Sequence, residues 1–216
     1  MRTSWTISRE RVRQIRRREG LQVVKKRRKR KCLGMTTQWV YRAEYPNDVW
    51  SYDFVYDQTE DGRQLKCLTV VDEFARQALA IRLGRSLTAS DITRILDELF
   101  RQHGRPTCLR SDNGPELVSK HVQNWLKDQH VHTHYIEPGS PWQSAYNESF
   151  SSIFRTPCLD RCLFGSITEA RVIIDHWLEE YNTLRPHGSL GGMTPKKYLQ
   201  RWTEANIDHQ PKFLTG

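Results

Sequence analysis

The chain has 216 residues, a formal net charge of +9, 37% hydrophobic residues and five cysteines. That length suits one sizeable core with a smaller appendage. No run approaches the ~18 apolar residues of a membrane span and the N-terminus lacks an apolar signal core, so a cytoplasmic location is expected. Scattered and odd in number, Cys32, Cys67, Cys108, Cys158 and Cys162 argue against a disulfide framework.

Charge is distributed unevenly. Residues 1–32 hold 14 Lys or Arg against Glu10 and Glu19, a net +12, while the remainder carries −3. Ser8 is a cap candidate for a first helix with Val12 and Ile15 at helical spacing, closed by Gly20. The run Lys25, Lys26, Arg27, Arg28, Lys29, Arg30 and Lys31 then forms a basic arm suited to a polyanion, most commonly nucleic acid. A solubilising tail is the bland alternative. The organisation expected is a basic DNA-binding arm (1–32), a linker (33–46), a catalytic core (47–203) and a C-terminal tail (204–216).

From Asn47 the pattern becomes that of a compact domain. Strands are expected at Trp50–Asp57, Leu65–Val71 and Ala78–Leu83, the first two separated by the turn signal Asp61-Gly62. Residues 88–102 carry Ile92, Ile95, Leu96 and Leu99 at helical spacing, with Thr88 and Ser90 as cap candidates. A short strand at Thr107–Ser111, a helix at 115–128 and a strand at 131–136 follow, then helices near 143–156 and 167–183. A three-strand meander followed by alternating strands and helices indicates an α/β fold with a mixed sheet. Cys158 and Cys162 lack a second ligand pair at zinc spacing, and His121, His130, His132 and His134 read as structural or surface residues.

Three acids stand out. Asp53 lies inside Val49-Trp50-Ser51-Tyr52-Asp53-Phe54-Val55-Tyr56, where a carboxylate among bulky side chains is costly without a partner or cation. Asp112 follows Ser111 and precedes the turn formers Asn113-Gly114-Pro115, at the carboxyl edge of a strand where ligands collect in open α/β sheets. A plain turn residue is the alternative. At ~100° per residue, Glu148, Ser152 and Arg155 share one helix face, and Tyr146, Phe150, Ile153 and Phe154 the other. That face could be merely solvated, or could put Glu148 on metal and Arg155 on phosphate. Asp57, Glu60, Asp61, Asp72 and Glu73 compete on chemistry alone; Asp61 is explained by its turn, and Asp72-Glu73 reads as structural.

Four segments together resemble a known family. They are Trp50-Ser51-Tyr52-Asp53-Phe54, Leu109 through Glu116, Pro138 through Phe150, and Tyr181 through Gly191 followed by Met193-Thr194-Pro195. This set is similar to the OrfB-type transposases of the insertion sequence three family, relatives of retroviral integrases. Asp112 and Glu148 are separated by 35 residues, the interval of that family's acidic triad. The resemblance covers roughly residues 5–200. It implies a ribonuclease-H-like fold, a five-stranded mixed sheet flanked by helices, and two Mg²⁺ (or Mn²⁺) ions on Asp53, Asp112 and Glu148. It further implies cleavage of double-stranded DNA at element ends, then strand transfer into target DNA by a homo-oligomer. Asn113, Gln143, Asn147 and Arg155 match positions near the site and are expected to orient DNA or metal ligands.

The match departs in two places. Ser151-Ser152 and Thr156-Pro157 stand where the family has other residues, and Pro157 predicts a helix end or kink near Arg155. The segment from Trp5 resembles only the end of the family's DNA-binding region, the pattern of a truncated copy, and leaves open whether a separately encoded partner restores end recognition. A catalytically silent DNA-binding remnant, or a ribonuclease-H-like nuclease, are the alternative readings.

Overall fold

The computed structural model describes residues 8–19, 42–111, 114, 116–136 and 145–206. Two units separate, residues 1–39 and residues 40–216. In the first, helix α1 (Arg9–Arg18) starts where Ser8 accepts a hydrogen bond from Arg11 N at 3.3 Å. The expected stop, Gly20, and the basic run Lys25–Lys31 lie outside the described residues.

The second unit is built on five strands: β1 (Val49–Gln58), β2 (Gln64–Asp72), β3 (Ala78–Gly84), β4 (Cys108–Ser111) and β5 (His132–Tyr135). Their order is β3-β2-β1-β4-β5, with the first three antiparallel and β1, β4 and β5 parallel. The β1–β2 connection follows its sequence signal. Asp61 accepts from the Thr59 hydroxyl at 2.5 Å and Arg63 N at 3.2 Å, and Gly62 adopts φ 76°, a left-handed backbone that glycine takes without strain.

Helices cover both faces. On one side α2 (Ala89–His103) and α3 (Lys120–Asp128) pack Ile92, Leu96, Leu99 and Val122 against Trp50, Tyr52 and Leu68. On the other, α4 (Ala145–Arg155) and α5 (Ile167–Thr183) pack Phe150, Phe154, Ile174 and Tyr181 against Val55, Cys67 and Val71. Alternation along β1 therefore sends Trp50 and Tyr52 one way and Val55 the other. Local chemistry sets most boundaries. Thr88 and Asp91 form a reciprocal capping box at α2, and Ser166 caps α5.

Two departures from expectation are local in origin. Helix α3 begins at Lys120 rather than 115, because residues 116–118 form a turn and Ser119 accepts from Val122 N at 3.4 Å as the cap. A sixth helix, α6 (Pro195–Ala205), was not expected from periodicity. Its start is nevertheless written in the chain: Thr194 caps it and Pro195 opens its first turn. It packs Tyr198 and Trp202 onto Phe74 and carries the fold two residues past 203. No described helix is long and apolar enough to cross a membrane.

Candidate active site

The face of the sheet under α4 holds the first acid. Asp53 shares the parity of Val55, so it looks toward the α4 layer, and it is half-buried. Its strand is fixed on both edges. Asp53 pairs with Thr69, whose hydroxyl donates to the Asp53 carbonyl at 3.1 Å, while β4 runs alongside through the Ser51–Arg110 pair. The carboxylate oxygen Oδ1 also accepts from Phe54 N at 2.7 Å.

Two residues earlier on the same face lies a buried ionic network. Ser51 Oγ donates to Glu73 Oε1 at 2.5 Å, and Arg110 Nη1 donates to Glu73 Oε2 at 2.6 Å. Both charged side chains are almost wholly inaccessible, at 2% and 1% exposure. Burial pushes the Glu73 carboxyl up, opposed chiefly by the Arg110 charge and the Ser51 hydroxyl. Asp72 has a structural duty too, accepting from Asn47 N and Ala75 N, both at 2.8 Å, with its pKa raised by burial. The expectation that Asp72-Glu73 is structural agrees with these contacts.

The second acid rides on α4. Glu148, Ser152 and Arg155 are exposed, whereas Phe150 and Phe154 are buried against Trp177 of α5. The helix ends at Arg155, just before Thr156-Pro157, as the proline requires. Two contacts fix its direction. Near its start, the Arg76 guanidinium lies 3.9 Å from the centre of the Tyr146 ring. Arg76 follows the end of β2, and that end pairs with the beginning of β1 through Trp50 and Asp72. At the helix's far end, Arg155 Nη2 donates to the Tyr56 carbonyl at 3.0 Å. Thus α4 runs along β1 in the same sense.

The two rises then set the level of Glu148. Seven helical residues from Arg155 back to Glu148 span ~10.5 Å, and three strand residues from Tyr56 back to Asp53 span ~10 Å. With Arg155 taken as level with Tyr56, these rises bring Glu148 to about the level of Asp53 in the β1–α4 layer.

The other expected site residues fare differently. Asp112, Asn113, Gln143 and the basic run Lys25, Lys26, Arg27, Arg28, Lys29, Arg30 and Lys31 lie outside the described residues. Asn147 is 7% exposed, because one step of ~100° from Glu148 turns it toward the packed side rather than toward a surface DNA contact. Arg155 has a structural contact, the Tyr56 carbonyl, in addition to any phosphate. Among the described residues, no three of His, Cys, Asp and Glu are grouped to hold a metal ion.

Sequence reasoning missed two side chains that tie the elements around this site together. Lys66 is buried on the opposite sheet face, with Nζ 2.5 Å from Glu116 Oε1 and 3.9 Å from the centre of the Phe54 ring. Its hydrogen bond holds the Glu116 carboxyl below the usual range and ties the segment after β4 to β2. A lysine inside Leu65-Lys66-Cys67-Leu68 was the available signal. Arg76 left no periodic signal at all, since its turn is short and its partner is 70 positions away in the chain.

Comparison with known proteins follows the same lines. Two stretches match the Integrase core domain family, residues 43–141 and 129–195. The chain is 37% identical over 193 residues to an uncharacterised 39.2 kDa protein of insertion element IS476 from Xanthomonas euvesicatoria, covering 89% of this chain and 56% of that one. It is 36% identical to a 31.7 kDa protein of insertion element IS407 from Burkholderia multivorans, covering 89% and 69%. With the transposase of insertion sequence element IS904 from Lactococcus lactis it shares 25% identity, over 74% and 64%. The chain thus spans between half and about two thirds of these relatives. Among solved structures, the catalytic core of HTLV-2 integrase, in complex with magnesium, superposes with a TM-score of 0.59 at 18% identity, covering 73% of this chain and 99% of that core.

Proposed function

The chain belongs to the insertion-element transposases built on an integrase core, and from that membership we propose that it cuts and joins DNA with Asp53, Asp112 and Glu148 as its acidic triad. The observation that carries this reading is the common level of Asp53 and Glu148, set by α4 running along β1. Asp112 joins the set on its sequence context. It lies in the Leu109–Glu116 segment that resembles the family's motif, with 35 residues between it and Glu148.

The donor set fits a hard divalent cation. Asp53 and Glu148 offer carboxylate oxygens, the ligands that Mg²⁺ and Mn²⁺ take. When bound, two such ions would activate the attacking oxygen and stabilise the leaving one in an in-line displacement. The chain's own residues supply position. The paired strands hold Asp53, α4 carries Glu148, and the exposed Arg155, a fork of five N–H donors, can serve a DNA phosphate as well as Tyr56. In the first reaction a water oxygen bonds to phosphorus and the 3′ oxygen departs as a hydroxyl. In the second that hydroxyl attacks a target phosphodiester, exchanging one P–O bond for another.

The partners follow from charge and family. Double-stranded DNA is the substrate, bound by a homo-oligomer, with a separately encoded protein able to contribute recognition of element ends. The +12 charge of residues 1–32 supports a salt-sensitive contribution from the arm, since each neutralised phosphate on duplex DNA releases ~0.9 counterions. Deleting residues 1–32 is expected to flatten the dependence of DNA affinity on salt; an unchanged slope would put the DNA surface on the core alone.

Glu148→Gln tests the site. The amide keeps the side chain's size and the exposed position but loses the charge, so cleavage and joining should fall by ~10³, about 4 kcal/mol on the barrier. In chelator the melting temperature should be equal or higher, because repulsion among carboxylates is relieved. Strand transfer by Glu148→Gln at the wild-type rate, on pre-nicked ends with Mg²⁺ or Mn²⁺, would sink the assignment.

A further inference from the structure

We propose that Arg76 is a positioning residue for the catalytic helix, acting through the ring of Tyr146 to set where Glu148 stands. The inference rests on the acidic-triad reading above and deepens it. Three independent features of the turn between β2 and β3 carry it.

The turn is rigid. Asp72 accepts from Ala75 N and Asn47 N, Asp72 N donates to the Gln77 carbonyl at 2.8 Å, and Phe74 is packed between Tyr198 and Trp202 of α6. Arg76 itself adopts φ 57°, a left-handed backbone that glycine takes freely and an arginine does not. It reaches Tyr146, in the first turn of α4 and two residues before Glu148, with its guanidinium 3.9 Å from the ring centre. Beside this contact is a cleft of about 310 Å³ lined by Val71, Phe150, Ile153, Tyr181 and His187 among others. Arg76 and Tyr146 line it too, so the first turn of α4 borders open space on that flank. Arg155 fixes the other end on Tyr56. With both ends set and Phe150 and Phe154 packed between them, Glu148 keeps its level; with the first contact released, the first turn of α4 ahead of Phe150 is freer to shift and carries Glu148 with it.

The test uses the full chain and three variants. Arg76→Gly removes the guanidinium while suiting the left-handed backbone. Tyr146→Leu removes the ring, and Tyr146→Phe keeps the face on which the cation stacks. Mn²⁺ affinity is read by isothermal titration, amide exchange over residues 145–149 by mass spectrometry without metal, and strand transfer on pre-nicked ends by rate. Arg76→Gly and Tyr146→Leu should weaken Mn²⁺ binding and lower kcat by roughly three- to thirtyfold, with KM for DNA unchanged and faster exchange at the start of α4. Tyr146→Phe should restore all three. A double variant no worse than either single would place both side chains in one contact. Mn²⁺ affinity and exchange at wild-type values in Arg76→Gly and Tyr146→Leu would overturn the proposal while leaving the triad standing. A wild type that binds no Mn²⁺ would bring down the triad reading and this one together.

Discussion

The two carboxylates that share a level are held in very different ways. Asp53 sits in a strand paired on both edges, beside a network in which Glu73, in the turn after β2, joins Ser51 of β1 and Arg110 of β4 away from solvent. Glu148 sits on a helix fixed by one packed face and by arginine contacts near each end, of which the Arg155 contact is exposed. The floor is over-determined and the helix is adjustable. Damage to the floor should therefore appear first as lost stability, and damage to the helix anchors first as lost chemistry.

The sharpest way to break this contrast is to halve the buried pair. Arg110→Met or Glu73→Leu alone leaves one uncompensated buried charge and should cost about 3–5 kcal/mol in urea unfolding. The double replacement should recover most of that loss, because the desolvation of both charges disappears with them. If each single change cost under about 1 kcal/mol, the floor would be no firmer than the helix.

A smaller effect is expected at the helix end. Arg155→Ala loses one hydrogen bond to the Tyr56 carbonyl at the surface, about 0.5–1.5 kcal/mol by urea unfolding. Its rate of strand transfer should suffer more than its stability does. Equal losses in both would mean that Arg155 is merely structural.

The smallest effects come from two turns that titrate in opposite directions. Asp61 is held down to about 2 by the Thr59 hydroxyl and by Arg63, from an ordinary 3.8. Its contribution is present above pH 3.8 and is lost as pH falls through about 2. Burial raises the Asp72 carboxyl, so its ionisation opposes folding: that contribution is full below pH 3.8 and is lost as pH rises through the folded value. Stability measured against pH for wild type, Asp61→Asn and Asp72→Asn should separate the two. The wild-type advantage over Asp61→Asn shrinks toward acid, and that over Asp72→Asn shrinks toward neutral pH. Parallel curves would refute both assignments.

Much of the fold was legible because it is local. Runs of apolar and β-branched residues between turn signals marked β1 to β3 within a residue or two, the Asp61-Gly62 turn behaved as its residue types dictate, and Pro157 stopped α4 at Arg155. Where local signals competed, the reading slipped. Pro115 suggested a helix start that Ser119 in fact provides, and Thr194-Pro195 opened a helix whose weak apolar pattern hid it.

By itself the sequence determined which residues could do chemistry, since an acid in an apolar strand and a carboxylate on the polar face of a helix are visible from spacing of two and of 3.6. Only the tertiary structure decided how those elements are set against each other. The direction of α4 along β1 depends on Arg155 meeting Tyr56 and Arg76 meeting Tyr146, and the quiet floor depends on Arg110 meeting Glu73. These partners lie 99, 70 and 37 positions apart in the chain, so no local period registers them. They become neighbours only once the sheet has its order and its two helical layers, because packing, and not propensity, chooses which distant side chains meet.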